Sequence, residues 1–427
     1  MFQPSRTILL LAAIMPVNSR AEDVDRPPVR YSAAPENNAV SRLADEVRAG
    51  RKTLEHHPEH GYLPAVLKEL GVPVSSQTLV FSKTSLQRSR ISPKTPRAIY
   101  FSDDVTVGFC QRGDVVELTA TDTDLGVVFY TLDQNPNRKA RFTRQTDQCL
   151  ICHSSSMNHG FPGHLLRSVT PDHRGEMALN FGTKRIDYTS PMEDRWGGWY
   201  VTGTAPKLAH RGNKTINGRD DEEPKPRPQD VTELKEFFTV ADYLSPHSDI
   251  VALLVLEHQT EIQNRIARAN YLVRFALREQ AEMNEIFKEP AATRSDGITR
   301  RINDACENVV RGLLFAEEAK IEGPVAGTST FAKDYTAAGP FDGKKRSLRE
   351  FDLKTRLFRY PCSAAIYSPQ LAALPPDAKA RVYQRLREIL TGKDQSKEYA
   401  HLSATDRAAI REILLDTHPA LPDDWKK

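Results

Sequence analysis

The pentapeptide Cys149-Leu150-Ile151-Cys152-His153 constrains this 427-residue chain more than any other feature. It sets two thiols and an imidazole on one short segment. Two residues between the cysteines let both thiols reach the two vinyl groups on one edge of a porphyrin, and the adjacent imidazole is then directed at the metal from one face. Cys-x-x-Cys-His is the attachment signature of c-type haem. With 5 Cys and 12 His in the chain, composition alone produces it in roughly two of a thousand such sequences. The motif therefore predicts one covalent haem on Cys149 and Cys152, with His153 as an iron ligand.

Three other readings of the motif compete. A redox dithiol usually opens a helix beside a parallel βαβ sheet, and no such pattern surrounds these cysteines. Structural zinc needs further ligands at short spacing, which His159 and His164 could supply beside Cys149 and Cys152. The plainest alternative is a surface pair closing a strained disulfide.

The second axial position is open to more candidates: His159, His164, His173, His210, His258, Met157, Met177 and Met192. His258 stands out because it lies on the apolar stripe of a long helix, where an imidazole needs a partner to offset its desolvation. His258, His210, His164, Met177 or no protein ligand at all remain as the alternatives for the sixth ligand.

The N-terminus places Arg6 before an apolar run at 8–14, and Ser19-Arg20-Ala21 is followed by Glu22-Asp23. This is the layout of a secretory signal peptide over 1–21, and the run is too short for a spanning helix of ~20 apolar residues. The expectation is therefore a periplasmic or otherwise exported protein with no stable membrane insertion. The formal charge of +3 falls to +1 once Arg6 and Arg20 are removed with the signal, which disfavours nucleic acid as a partner. Cys110, Cys306 and Cys362 allow at most one disulfide among themselves, and their pairing is left open.

The chain divides into the signal at 1–21, a linker and N-terminal helices at 22–95, a β region with the haem segment at 96–205, a charged loop at 206–232 and a helical part at 233–427. Helical spacing shows in Val40, Leu43 and Val47, and again in Leu63, Val66, Leu67 and Leu70 before Gly71 and Pro73. Between 97 and 132, short apolar runs separated by Asp, Gly and Thr turns predict antiparallel strands. The stretch 154–205 has no clear period. From Ser248-Asp249, an N-cap signal, residues Val251, Val255, His258, Ile262, Ile266, Ala269, Val273 and Ala276 predict one long buried helix. Further helices are expected at 298–317, 378–390 and 405–415. The expected fold class is α+β: mostly helical, with a small antiparallel β region next to an irregular haem-binding segment.

Several runs carry a family resemblance: VPVSSQTLVFSKTSLQ at 72–87, RAIYFSDD at 97–104, the motif at 149–153, GFPGH at 160–164, RWGGWYVTGT at 195–204, SDIVALLVLEH at 248–258 and RYPC at 359–362. On these the chain resembles bacterial cytochrome c domain proteins of unassigned physiological role, and the likeness spans most of its length after the signal. The resemblance implies haem binding and electron transfer through Cys149, Cys152 and His153, and it implies no substrate. One departure is plain. The family pattern reads like Gly-Thr-His-Gly followed by Arg-His-Met-Gly-Asn, whereas this chain has GTAP at 203–206 and AHRGN at 209–213. A thioether beside His210 is thereby lost.

The expected function is an electron carrier exchanging one electron with redox partner proteins. Its rival is a haem enzyme, a peroxidase or small-molecule oxidoreductase, with an open sixth position; the surplus of chain over what one haem needs favours that rival. A redox-reporting scaffold is a weaker third reading. No acid, base and nucleophile stand at a telling spacing.

Overall fold

A computed structural model describes residues 23–217 and 222–426. The predicted signal peptide at 1–21 and four residues of the charged loop lie outside these. Helices α1 (Ala39–Arg48) and α2 (Leu63–Glu69) precede strands β1 (Thr78–Val80), β2 (Arg97–Phe101), β3 (Val105–Phe109), β4 (Val115–Asp122), β5 (Gly126–Asp133) and β6 (Phe142–Gln145). The motif forms a six-residue helix, α3 (Gln148–His153). Short strands β7 (Arg167–Val169), β8 (Thr183–Arg185), β9 (Trp199–Tyr200) and β10 (Gly203–Thr204) follow. The remainder comprises α4 (Ile250–Phe287), α5 (Asp296–Leu313), β11 (Ala326–Gly327), α6 (Phe331–Ala337), α7 (Pro369–Ala372), α8 (Pro376–Leu390) and α9 (Ala404–Thr417).

The expected fold class needs correction. Helices hold 37% of the chain and strands 15%, and the β part is a large sheet of seven strands rather than a small region beside a mostly helical body. Its order is β6-β5-β4-β3-β2-β1-β9, antiparallel throughout. Three of its strands give no periodic signal. Thr78-Leu79-Val80 is buried at every position, Trp199-Tyr200 is two residues inside an aperiodic stretch, and Phe142-Thr143-Arg144-Gln145 is mostly polar. Pairing with distant partners makes them strands, as when Leu79 faces Ala98 on one side and Tyr200 on the other.

The sheet uses its two faces differently, as the two-residue side-chain period allows. Ala98, Tyr100, Val107, Phe109, Val116, Leu118, Ala120, Val128, Tyr130 and Leu132 enter a core with residues of α1 and α2. Ile99 and Phe101 point the other way, into a second core with Trp196, Trp199 and the first turns of α4. A third core joins α4 to α5, α8 and α9.

All three cores close on α4. Its 38 residues give a length of about 57 Å at 1.5 Å per residue. Asp249 caps it, Oδ1 accepting from the Val251 nitrogen at 2.8 Å and the Ala252 nitrogen at 3.3 Å. Ser248 does a separate job: its hydroxyl donates to the Tyr200 carbonyl at 2.6 Å and accepts from the Leu79 nitrogen at 2.9 Å, tying the start of α4 to the sheet edge where β1 meets β9.

Candidate functional site

Strand β6 delivers the chain to Asp147, whose carboxylate accepts from the Gln148 nitrogen at 2.9 Å and starts α3. The helix is only long enough to set Cys149, Cys152 and His153 on one face, three and four residues apart. Beyond it the chain is irregular but tightly bonded. Asn158 donates to the His153 and Phe161 carbonyls, each at 3.0 Å, and the Gly163 nitrogen donates to the His153 carbonyl at 3.1 Å. From α4, Asn264 accepts from the His164 nitrogen at 2.8 Å and donates to the His164 carbonyl at 2.9 Å. A residue 100 positions downstream thus locks the loop, which explains why this stretch carries no local period.

Cys149, Cys152 and His153 all line a cavity of about 570 Å³, within the range of roughly 300–1,000 Å³ usual for cofactor sites. Cys149 is half-buried and Cys152 exposed. Burial pushes the Cys149 thiol up to about 11. His153 sits with its ring centroid 4.7 Å from that of Phe129, and its Nδ1 lies 2.9 Å from the Gly163 carbonyl. A carbonyl can only accept, so Nδ1 carries the hydrogen and Nε2 is the basic nitrogen. Burial holds the imidazole below its ordinary range, in the neutral form a metal requires. This is how proteins orient a metal-bound histidine: the outer nitrogen is tied to a carbonyl and the inner one is left to the metal. The residues present fit a c-type haem on these grounds.

The outward sheet face supplies one wall of the same cavity, through Arg97, Ile99, Thr106, Gly108, Glu117, Thr119, Phe129 and Thr131. Leu256 and Thr260 of α4 and Trp199 of β9 add to the lining. The Trp199 indole donates to the Arg167 carbonyl at 2.9 Å, whereas Trp196 and Tyr200 of the same aromatic run are buried in core. Arg97 and Glu117 form an ion pair at 2.5 Å, both largely shielded from solvent. Their opposite charges reach His153, which Arg97 pushes down and Glu117 up. Gly108 gives this pair its place, since a Cβ there would fall 2.2 Å from the Arg97 guanidinium. Neither charged residue stands out as a site from sequence alone. The available signal was strand alternation: in Val115-Val116-Glu117-Leu118-Thr119 the polar residues fall on the face opposite Val116 and Leu118.

Of the four named sixth-ligand candidates, the structure brings only His164 to this cavity. His164 is buried, and desolvation together with the nearby His153 pushes it down to about 3. His258 is elsewhere: its Nε2 is 2.8 Å from the Ser363 hydroxyl and its ring stacks on Phe315 at 3.8 Å between centroids. His210 accepts from the Gly212 nitrogen at 3.0 Å and meets the Trp196 ring edge-on at 5.1 Å. Met177, Met157, Met192, His159 and His173 do not line the cavity either. Among the described residues no three His, Cys, Asp or Glu side chains gather as a metal-ligand group, so Cys149, Cys152, His159 and His164 do not assemble a zinc site. Cys110, Cys306 and Cys362 are free and buried, and no disulfide joins any of the five cysteines.

His210 and His258 make a testable statement about acid stability. Burial pushes them down to about 4 and about 3, against roughly 6.5 in an unfolded chain. Below pH ~6.5 the unfolded state takes up protons that the folded state refuses, so stability falls as pH falls, by up to about 1.4 kcal/mol per pH unit for each histidine. The thermal midpoint is expected to drop between pH 6.5 and 5, and to drop less in His258→Phe. Identical slopes in the two proteins would show that His258 is not held neutral.

No family model, no curated protein and no solved structure matches this chain.

Proposed function

We propose that the protein is an exported c-type cytochrome that holds one haem covalently through Cys149 and Cys152, with His153 as an axial ligand, and exchanges electrons with redox partner proteins. One observation carries this reading: both motif thiols and an imidazole with a free Nε2 line a single cavity of cofactor size. The bound haem would supply one-electron redox chemistry at its iron. The chain's own residues do the rest. The Gly163 carbonyl holds the His153 proton on Nδ1, Phe129 packs against the imidazole ring, and the sheet face with Leu256 and Trp199 excludes water from the porphyrin's surroundings. Solvent exclusion and the hydrogen bond to His153 are the protein's levers on potential. Neither nucleic acid nor a lipid core is part of this reading, and no helix among the described residues is long and apolar enough to cross a membrane.

A specific observation favours a second reading, the haem enzyme with an open iron position. His164 is the only other lining imidazole, and it follows Gly163, whose nitrogen and carbonyl are both bonded to His153. The two histidines start from the same wall, whereas two axial ligands must approach from opposite faces. The experiment is a reduced-minus-oxidised spectrum of protein matured with c-type haem, with and without carbon monoxide. A low-spin spectrum indifferent to the gas supports the electron carrier. A high-spin spectrum that shifts on adding it supports the enzyme, and protein that acquires no haem under these conditions refutes both.

A further inference from the structure

A second cavity, of about 230 Å³, lies behind the 154–164 loop and shares no lining residue with the first. Four elements converge on it. Helix α4 presents Glu261, Asn264, Arg265 and Arg268, whose spacing of three and four puts them on one face. The region of β8 brings Arg185 and Asp187, α5 brings Asn308, and the loop brings Asn158 and His159.

Three guanidinium groups thus face one small space, and the carboxylates do not neutralise them all. Arg265 bonds Glu261 Oε1 through Nε at 2.7 Å, and Arg185 bonds the other oxygen, Oε2. Arg185 also reaches Asp187 at 3.3 Å. Each Glu261 oxygen therefore already holds one arginine. Arg268 has no carboxylate partner, and its Nε is buried without a hydrogen bond. Burial disfavours its charge most, Glu261 favours it through space without a hydrogen bond, and the neighbouring Arg265 disfavours it again. A half-buried guanidinium beside two others, with its Nε unpartnered, is a costly arrangement that a bound anion relieves. Its planar fork of donors suits oxygens in particular.

We propose that this cavity binds a small inorganic oxyanion of the phosphate or sulfate class, held chiefly by Arg268 with Arg185 and Arg265 flanking it. The site does not depend on the haem reading, but it is mechanically joined to the motif. Asn264 lines the cavity while bonding His164, and Asn158 lines it while bonding the His153 carbonyl. Occupancy therefore stiffens the segment that carries the axial histidine.

The test is calorimetric titration of the intact purified protein with inorganic phosphate, paired with thermal unfolding in phosphate and in chloride at equal ionic strength. The expected results are saturable binding near one ion per chain and a rise in midpoint that chloride does not reproduce. Arg268→Gln is expected to weaken binding at least tenfold and, without phosphate, to unfold no earlier than the unsubstituted protein, because its surroundings on balance disfavour the charge it removes. Arg278→Gln, at an exposed ion pair on the same helix, should bind as the unsubstituted protein does. No saturable heat from the unsubstituted protein, or binding unchanged in Arg268→Gln, would overturn the proposal; the first result does so whether or not the variant folds.

Discussion

Protein carrying Cys149→Ala and Cys152→Ala together is expected to lose all haem from its band in denaturing electrophoresis, where the unsubstituted chain keeps a haem-stained band. Only a thioether bond survives denaturation, so the stain reports covalent attachment and nothing else. Each single variant retains one possible bond and should give a weakened band. The substitutions sit on a short surface helix, one at a half-buried and one at an exposed position, away from the features whose loss unfolds proteins. Loss of stain should therefore come with a far-ultraviolet dichroism spectrum like that of the unsubstituted apoprotein. Haem retained through denaturation in the double variant would show that attachment lies elsewhere. His153→Ala separates the roles further: covalent haem should persist there, with an altered spectrum, because the thioethers do not need the imidazole.

The second large effect concerns stability. Arg195 is fully buried and pairs with Glu257 of α4 at 2.5 Å, the two side chains 2% and 0% exposed. Three more of its five donors are used on the Ser190 carbonyl at 2.7 and 2.9 Å and the Tyr188 carbonyl at 2.9 Å. Burial already pushes the Glu257 carboxyl up to about 7 beside Arg195; without the arginine it must take up a proton or stay as an unpaired buried charge, and breaking such a pair costs about 3–5 kcal/mol. Arg195→Met is accordingly expected to lower the thermal midpoint sharply. Arg195→Met with Glu257→Leu removes both charges and should recover much of the loss, since a buried ion pair exchanged for apolar packing is often close to neutral. A double variant as unstable as the single one would mean that the carbonyl contacts of Arg195, and not its charge, hold this region together. The pair matters to the cavity because it ties α4, which brings Leu256, to the turn that leads into Trp199.

Sequence made the clustering of the motif legible because it depends on local spacing: Cys149, Cys152 and His153 lie within one short helix and line one cavity. The long helix was legible for a similar reason, since Val251 to Ala276 repeat at three and four. What could not be read is what depends on distant chain. The sheet gains β1 and β9 through mutual pairing across 119 residues between Val80 and Trp199, and neither run has a period of its own. His258 shows the same limit from the other side. Its buried position correctly implied that its imidazole needs a partner, but the partner is a hydroxyl 105 residues away, and nothing near His258 distinguishes that from iron. His164, by contrast, lies on an irregular loop without period, and only the fold places it beside His153.

The sharing of α4 among three cores bears on how this chain can be divided. The charged loop at 206–232 looks like a seam, and the motif looks like a portable cassette. Yet the sheet, the cavity wall at Leu256 and Thr260 and the C-terminal helices all rest on one rod whose sequence begins after that seam. Cutting there would strip the N-terminal part of its roof and leave the C-terminal part with a naked helix face. The heritable unit is therefore the whole assembly, and grafting the 148–164 segment onto another scaffold would carry over its two thiols and imidazole without the walls of the cavity they line.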